Sequence, residues 1–289
     1  MYTLSMLMSK ERVTRVTLAA AGAACLWLAW AQNQQPAELT LQKITDDLYV
    51  IMGSGGNVAF MPTKEGVVLI DDKFVQDGPQ ILAKVKSVTD QPIKYVINTH
   101  QHGDHTGGNA ALLGAGAEIL IHKNARANMA KAEMPGIPRI TFSEESQVFL
   151  GGKEVEARYF GRGHTNGDVM IYFPAQKVLH TGDLFTNGAP FCDTSAGCSI
   201  KEWDKTIQKA LGSSMDFDTV IPGHGPVMKR ADLTKYVQTV AAVRDHVAKA
   251  CQGGAETAAQ RLNLADLGFA QVSPMVARGI PGMCKELAQ

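Results

Sequence analysis

Residues 99–109 read "THQHGDHTGGN". Three of the chain's eight histidines and one aspartate fall between His100 and His105. Neutral imidazole and carboxylate are the usual ligands of zinc and similar ions. The preceding run, "IKYVINTH", reads as a buried strand ending at His100. In extended chain, residues two apart project to the same side, so His100 and His102 can share one ion. Gly103 lacks a Cβ and can turn the chain sharply, which lets Asp104 and His105 point elsewhere. Gly107 and Gly108 allow close backbone approach as a helix begins. One short loop can therefore feed two neighbouring ions.

Three other segments carry the same local grammar. "GRGHTNGD" places His164 between glycines after the strand-like "EARYF". "KVLHTGDLF" places Asp183 just past an apolar run, and "VIPGHGP" places His224 between glycines after "DTVI". Loops of this kind hold functional groups on a rigid scaffold. Asp71 ends the run "GVVLID" and reads as support for a ligand; Asp72 reads as a loop charge. His122 and His246 lack such surroundings and read as structural, with His180 as core or support.

Around these loops, apolar strand-like runs alternate with segments of helical spacing. "LYVIMG", "NVAFMP" and "GVVLID" are strands separated by turn clusters such as "GSGGN". Ile81, Leu82, Val85 and Val88 recur at helical spacing, as do the apolar residues from Asp232 to Ala250. No Pro/Ser/Gly-rich linker interrupts the pattern. The expectation is one domain over residues 32–289, with a helical C-terminal extension over 229–289. The loops at 53–57 and 127–140 are the expected seat of substrate specificity.

Lys plus Arg equals Asp plus Glu at 28 each, so the chain shows no basic footprint for nucleic acid. Lys10, Arg12 and Arg15 precede an uncharged apolar run from Val16 to Ala31 that ends in Ala29-Trp30-Ala31. This is the pattern of a cleaved secretory leader over residues 1–31, and the run is short for a membrane span. Met8 offers an alternative start, and Gly22 stands where a lipoprotein signal around Cys25 would need leucine. Cleavage would remove three basic residues and Glu11, leaving 25 basic and 27 acidic groups. The expected location is periplasmic or secreted, with no stable membrane association of the mature chain. Cys192, Cys198, Cys251 and Cys284 then remain, an even number with three connectivities. The local pairing, Cys192 with Cys198 and Cys251 with Cys284, is preferred. Nothing fixes an oligomeric state.

Taken together, His-x-His-x-Asp-His followed by His164, Asp183 and His224 at strand ends resembles the metallo-β-lactamase-fold hydrolase superfamily, over about residues 41–228. That resemblance implies an α/β fold, a four-layer αββα sandwich with two metals along one edge. It implies that His100, His102 and His164 hold one ion. Asp104, His105 and His224 would hold the other, with Asp183 bridging both. Asp71 matches the family's acidic residue at a strand end. There are departures. True β-lactamases of the superfamily usually carry Cys or Ser where Asp183 stands, and an aspartate there is similar to glyoxalase II, lactonases and related esterases. Yet the basic tail of glyoxalase II has no clear equivalent. The leader and the Cys251/Cys284 pair are similar to exported β-lactamases of the third subclass.

Two divalent ions about 3.5–4 Å apart can share a water-derived ligand and lower its pKa toward neutrality. Zinc is the expected ion, with iron or manganese as the other candidates, and no organic cofactor is implied. Asp104 is the expected catalytic residue, orienting the nucleophile and relaying its proton. The expected reaction is hydrolysis of an ester, lactone, thioester or amide bond in a small molecule. The alternatives are a β-lactamase, and a non-catalytic metal-binding partner of a periplasmic quinoprotein system. A mononuclear iron oxygenase needs only two histidines and a carboxylate, which the seven candidate ligands exceed.

Overall fold

The apolar runs form strands in the order read, each buried on both faces where the run is continuous. The computed structural model describes residues 38–289. The leader read over residues 1–31 lies outside the described residues. Strands β1 (Thr40–Lys43), β2 (Tyr49–Met52), β3 (Val58–Pro62), β4 (Val67–Ile70), β5 (Ile93–Asn98), β6 (Glu118–His122) and β7 (Ile140–Phe142) make one sheet in chain order. From β1 to β4 the pairing is antiparallel, and from β4 to β7 it is parallel. Strands β8 (Glu145–Leu150), β9 (Lys153–Arg158), β10 (Met170–Phe173), β11 (Val178–His180), β12 (Thr219–Ile221) and β13 (Met228–Lys229) make a second sheet, also in chain order. Only β11 and β12 are parallel there.

Helices α1 (Gly78–Lys86), α2 (Gly103–Thr106), α3 (Asn109–Gly114), α4 (Lys123–Lys131), α5 (Trp203–Leu211), α6 (Arg230–Cys251), α7 (Ala255–Arg261) and α8 (Pro274–Leu287) complete the described residues. The layering follows from strand periodicity, since successive side chains point to opposite faces. In β3, Ala59 and Met61 pack with Ile171 and Phe173 of β10 between the sheets. Val58 and Phe60 turn the other way, onto Ile81 and Val85 of α1. In β10, Met170 and Tyr172 face outward onto Trp203 and Ile207 of α5 and Val240 and Val243 of α6. Strands covered on both faces read as near-continuous apolar runs, which is how they appear in the sequence. The result is the αββα sandwich.

The helices after Arg230 form the outer layer of the second sheet. α6 supplies Leu233, Tyr236, Val240, Val243, Val247 and Ala250 at spacings of three and four. Cys251 at its end is bonded to Cys284 in α8, with Cα atoms 5.5 Å apart. Cys192 and Cys198 are bonded likewise, with Cα atoms 5.4 Å apart. The segment 127–140, read as a specificity loop, is partly regular structure. Its first residues end α4, where Ala125 and Met129 pack on Ile121, and Ile140 opens β7. With just two buried side chains, α4 has too narrow an apolar stripe to show as a helical period.

Two parallel strand pairs, β4/β5 and β11/β12, end at one edge of the sandwich. Their C-termini release Asp71, the His100–His105 loop, Asp183 and the His224 loop.

Candidate metal centre

The structure brings all seven expected ligands together at that edge. His100 Nε2 and His102 Nδ1 are 3.1 Å apart, and His164 Nε2 lies 2.9 Å from the same His102 Nδ1. Beside them, His105 Nε2 is 3.4 Å from His224 Nε2, and Asp104 Oδ2 is 3.3 Å from His224 Nε2. Asp183 touches both sets. Its Oδ1 is 3.2 Å from His105 Nε2, and its Oδ2 is 3.3 Å from His224 Nε2 and 3.6 Å from His164 Nε2. Within each set the donor atoms lie within 4.8 Å of one another, the spread expected of groups that could hold one cation.

Hydrogen bonding shows that these donors suit a cation. His164 Nδ1 donates to the Phe191 carbonyl at 2.6 Å, and His102 Nε2 donates to Asp193 at 2.8 Å. Thr99 Oγ1 gives its own proton to Asp71, so it accepts from His100 Nδ1 at 3.1 Å. Each outer nitrogen is thereby a donor, which assigns the tautomer. The three inner nitrogens are left as lone pairs facing one another. Converging lone pairs repel unless a cation lies between them. Asp183 Oδ1 adds a second sign: it is buried without a hydrogen bond of good geometry.

The two sets differ electrostatically. Burial, then the neighbouring His105 and His102 charges, pushes His100 well below the usual histidine range. Burial also lowers His164. In the other set, burial opposes charge on His105, but Asp183, Asp71 and Asp104 outweigh it and hold the imidazole well above its usual range. Burial likewise opposes charge on His224, yet contacts with Asp104 and Asp183 raise it to about 9. Asp104 falls to about 2, because His105 and His224 overcome the cost of its burial. Asp183 is held well below the carboxylate range on the same balance.

Local geometry explains how one loop serves both sets. His102 is extended, with φ −64° and ψ 147°, and the helical turn α2 starts at Gly103. Gly103 has open space around it and no positive φ, so the turn of α2, rather than a glycine conformation, redirects Asp104 and His105. Asp71 stands in the left-handed region at φ 60°, a conformation Asp tolerates. Its carboxylate takes the Thr99 amide at 2.7 Å, the Thr99 hydroxyl at 2.8 Å and His105 Nδ1 at 2.8 Å. Asp72 is not a loop charge: it is buried and accepts from the Gly108 amide at 2.7 Å.

The loop 53–57 also departs from its reading as a specificity element. Gly56 lies under His105, where a Cβ would stand 2.2 Å from Cε1. Asn57 Nδ2 donates to the carbonyls of Pro222 and Gly225, either side of His224. Buried Lys73 ties this loop down through the Ser54 and Gly56 carbonyls, at 2.9 and 2.6 Å. Burial, its largest influence, lowers Lys73 to about 8. His122 and His246 stand apart from the cluster: His122 stacks on Tyr159, and His246 pairs with Asp266. His180 donates through Nε2 to Asn57, so it braces that loop.

Two partners were not read from the sequence, Asp193 and the Phe191 carbonyl. Asp193 lies within the loop closed by Cys192–Cys198, and Phe191 immediately precedes it. An Asp directly after a cysteine in "FCDTSAGC" is a weak signal, and only tertiary structure lays that loop against His102 and His164.

A buried polyhistidine and carboxylate cluster at the strand-end edge of an αββα sandwich defines a metal-dependent hydrolase. Residues 52–244 match the model of the metallo-beta-lactamase superfamily, and the chain belongs to that superfamily. It is similar to the "Metallo-beta-lactamase type 2" of Elizabethkingia meningoseptica, 26% identical over 210 residues, covering 67% of this chain and 82% of that protein. The protein of the same name from Bacillus cereus is 30% identical over 182 residues, covering 60% of this chain and 68% of that protein. Among solved structures, the "Metallo-beta-lactamase from Pontibacter korlensis" is 26% identical with a TM-score of 0.65, covering 70% of this chain and 99% of that one. Members of the superfamily bind divalent metals, and this chain is a hydrolase of that superfamily.

Proposed function

We propose that the mature chain is an exported hydrolase using two divalent ions, zinc before iron or manganese, to cleave an ester-like bond: ester, lactone, thioester or amide. His100, His102 and His164 would hold one ion, and Asp104, His105 and His224 the other. The observation that carries this reading is Asp183, whose carboxylate reaches nitrogens of both sets. When bound, the ion pair supplies Lewis acidity, lowering the pKa of water and polarising the substrate carbonyl. Asp104 would orient the attacking water and pass its proton to the leaving group. Its carboxylate is partly open to the cavity beside His224, which places an acceptor oxygen next to where the water would stand. Asp71, Thr99, Asp193 and the Phe191 carbonyl hold the imidazole rings in position throughout. Export is supported by the leader pattern over residues 1–31 and by the two disulfides. No helix of the described residues is long and apolar enough to cross a membrane.

A second reading, hydrolysis of β-lactams, is favoured by the names of the relatives. Asp183 ranks it second, since a carboxylate stands where those enzymes usually carry Cys or Ser. The test is kcat/KM on matched esters, lactones, thioesters and β-lactams, with metal content from elemental analysis. The expected result is two ions per chain and at least one ester-type substrate far ahead of every β-lactam. A stoichiometry that stays at one under saturation rejects the paired-ion reading. A penicillin or carbapenem cleaved orders of magnitude faster than the rest reverses the ranking.

A further inference from the structure

The metal centre opens into a cavity of about 670 Å³. One wall is the start of α8, a helix beyond the residues 52–244 that match the superfamily model. Met275, Val276 and Arg278 of α8 line the cavity, with Phe74 and Phe191 also among its lining residues. Among the described residues that line it, Arg278 is the only lysine or arginine. The remaining charged positions there are Asp104, Asp183, Asp193 and the histidines.

α8 is held in a fixed register. Gly279 and Gly282, three apart on one face, lie against the disulfide loop. A Cβ would stand 2.3 Å from the Cys192 carbonyl oxygen at the first and 2.2 Å from Thr194 Oγ1 at the second. Glu286 accepts from the Ser199 hydroxyl and from the Ile200 amide, the latter at 3.0 Å. Cys284 bonds the helix to Cys251. With those residues docked, the face carrying Met275 and Arg278 is turned to the cavity. Arg278 is exposed and makes no hydrogen bond or ion pair among the described residues. An arginine whose planar guanidinium is unclaimed, on the wall of a reaction cavity, has the geometry to receive a carboxylate in a two-point contact. Phe74 and Met275, 37% and 54% exposed, offer apolar surface to the same space.

We propose that Arg278 is a specificity-determining residue that selects substrates bearing a carboxylate remote from the scissile bond, with an apolar body that lies on Phe74 and Met275. This rests on the hydrolase reading above and narrows its substrate class. Arg278 takes no part in the bond cleavage. It fixes one end of the substrate so that the reactive carbonyl falls at the metal centre.

The experiment uses the metal-loaded chain and paired aryl thioesters that differ only in a remote carboxylate or its carboxamide. Kinetics are recorded for the wild type, Arg278→Ala and Arg278→Lys. For the carboxylate substrate, Arg278→Ala should raise KM by about 10- to 100-fold, the scale of a lost charged hydrogen bond, with kcat little changed. The carboxamide should be handled alike by all three proteins, and Arg278→Lys should recover part of the preference. Added salt should erode the wild-type preference, because the arginine is exposed and screened. Equal losses on both substrates would mean a structural role and overturn the proposal, as would no loss on either. If the wild type cleaves neither thioester, thioesters fall outside its substrate range, the ester and lactone panel decides the hydrolase reading, and binding decides the arginine separately. Calorimetry with 4-phenylbutyrate and its amide then compares wild type with Arg278→Ala. A tenfold weakening for the carboxylate alone upholds Arg278 as an anion site, and identical Kd values in the two proteins overturn it. Arg278→Ala should unfold at the wild-type temperature, since the side chain has no partner to lose.

Discussion

In the first ligand set (His100, His102 and His164), His102 and His164 are braced from the segment around the Cys192–Cys198 disulfide at the rim of the sandwich. In the second (Asp104, His105 and His224), by contrast, His105 is braced from the interior, as is His100 of the first set through Thr99. For the first set, Asp193 and the Phe191 carbonyl grip the outer nitrogens of His102 and His164. For the second set, Asp71 grips His105 with both groups fully buried, and Gly56 closes against the imidazole. In the first set, burial holds His100 and His164 as neutral imidazoles. The second is a compensated cluster of imidazolium and carboxylate when no metal is bound. The same chemical inventory is thus prepared in two ways, one ready to ligate and one that must first lose protons. Asp183 is the exception that belongs to both.

The largest effect should come from removing that link. Asp183 approaches two nitrogens of the second set and one of the first. Asp183→Ala should reduce kcat/KM by about a hundredfold or more, the scale of losing a principal electrostatic element of a catalytic site. It should weaken metal binding at Asp104, His105 and His224 more than at the other three. Steady-state kinetics with elemental analysis checks both parts. Full activity with two retained ions would show that the sets do not depend on a shared carboxylate.

How much of this could be read in the sequence follows the same division. The candidate ligands were legible because each follows a strand and sits in a glycine-containing loop, a local pattern. The sandwich was legible because strands covered on both faces leave unbroken apolar runs such as "GVVLI". Asp71 was legible as a strand-end acid. Asp193 was not, because its role depends on which loop folds over His102, a tertiary fact. The loop 53–57 was misread for the opposite reason. Its glycines read as a turn that could carry specificity, but Gly56 packs its backbone against the buried His105 ring, where a Cβ would not fit. Arg278 was silent because an exposed arginine on a helix has no local signature.

The two braces can be compared directly through Asp71→Asn and Asp193→Asn. Losing such partners of ligating histidines typically costs about 10- to 100-fold in metal affinity or activity. Asp71 serves three hydrogen bonds in the interior, so its loss should also lower thermal stability by about 2–4 kcal/mol, the cost of breaking a buried charged network. Asp193 is partly exposed, and its loss should leave the unfolding temperature nearly unchanged. Calorimetry and metal titration on both variants would separate the cases. Equal destabilisation by the two would remove the distinction between rim and interior.

The protonation contrast predicts different pH dependence. His224 is raised from 6.5 to about 9 in the metal-free protein. Between those values the folded chain holds a proton that unfolded chain would release, so this group's contribution to metal-free stability is complete below 6.5 and lost through about 9. An ion entering this set must displace that proton, so its affinity should rise by about tenfold per pH unit for each proton released. His100 and His164 are shifted the other way and are already neutral near pH 7, so affinity at their set should change little over the same interval. Chelator competition across pH 6.5–9 measures both steps. Parallel curves for the two ions would refute the contrast.

The smallest effects on the metal centre should come from the two disulfides, and they should split by kind. Cys251–Cys284 spans 33 residues and Cys192–Cys198 spans 6. In the chain-entropy model, closing the longer loop stabilises the fold by about 4 kcal/mol and the shorter by about 2 kcal/mol, often less in practice. Serine pairs in place of Cys251 and Cys284 should therefore cost more in unfolding free energy. The short loop, however, carries Phe191 and Asp193 beside it, and its closure limits where those two acceptors can stand. Serine pairs in place of Cys192 and Cys198 should loosen the His100/His102/His164 ion by a few-fold, within the range seen when partners of metal ligands are disturbed. The other ion should be unaffected, because its supports come from β4 and the 53–57 loop. Thiol titration of the exported protein establishes the starting state, with no free thiol expected. Denaturant unfolding and metal titration on the two serine pairs then test the split. If the Cys192/Cys198 pair proves the more destabilising and leaves both metal affinities intact, the loop is a fold staple and the rim brace is held by packing against α8 instead.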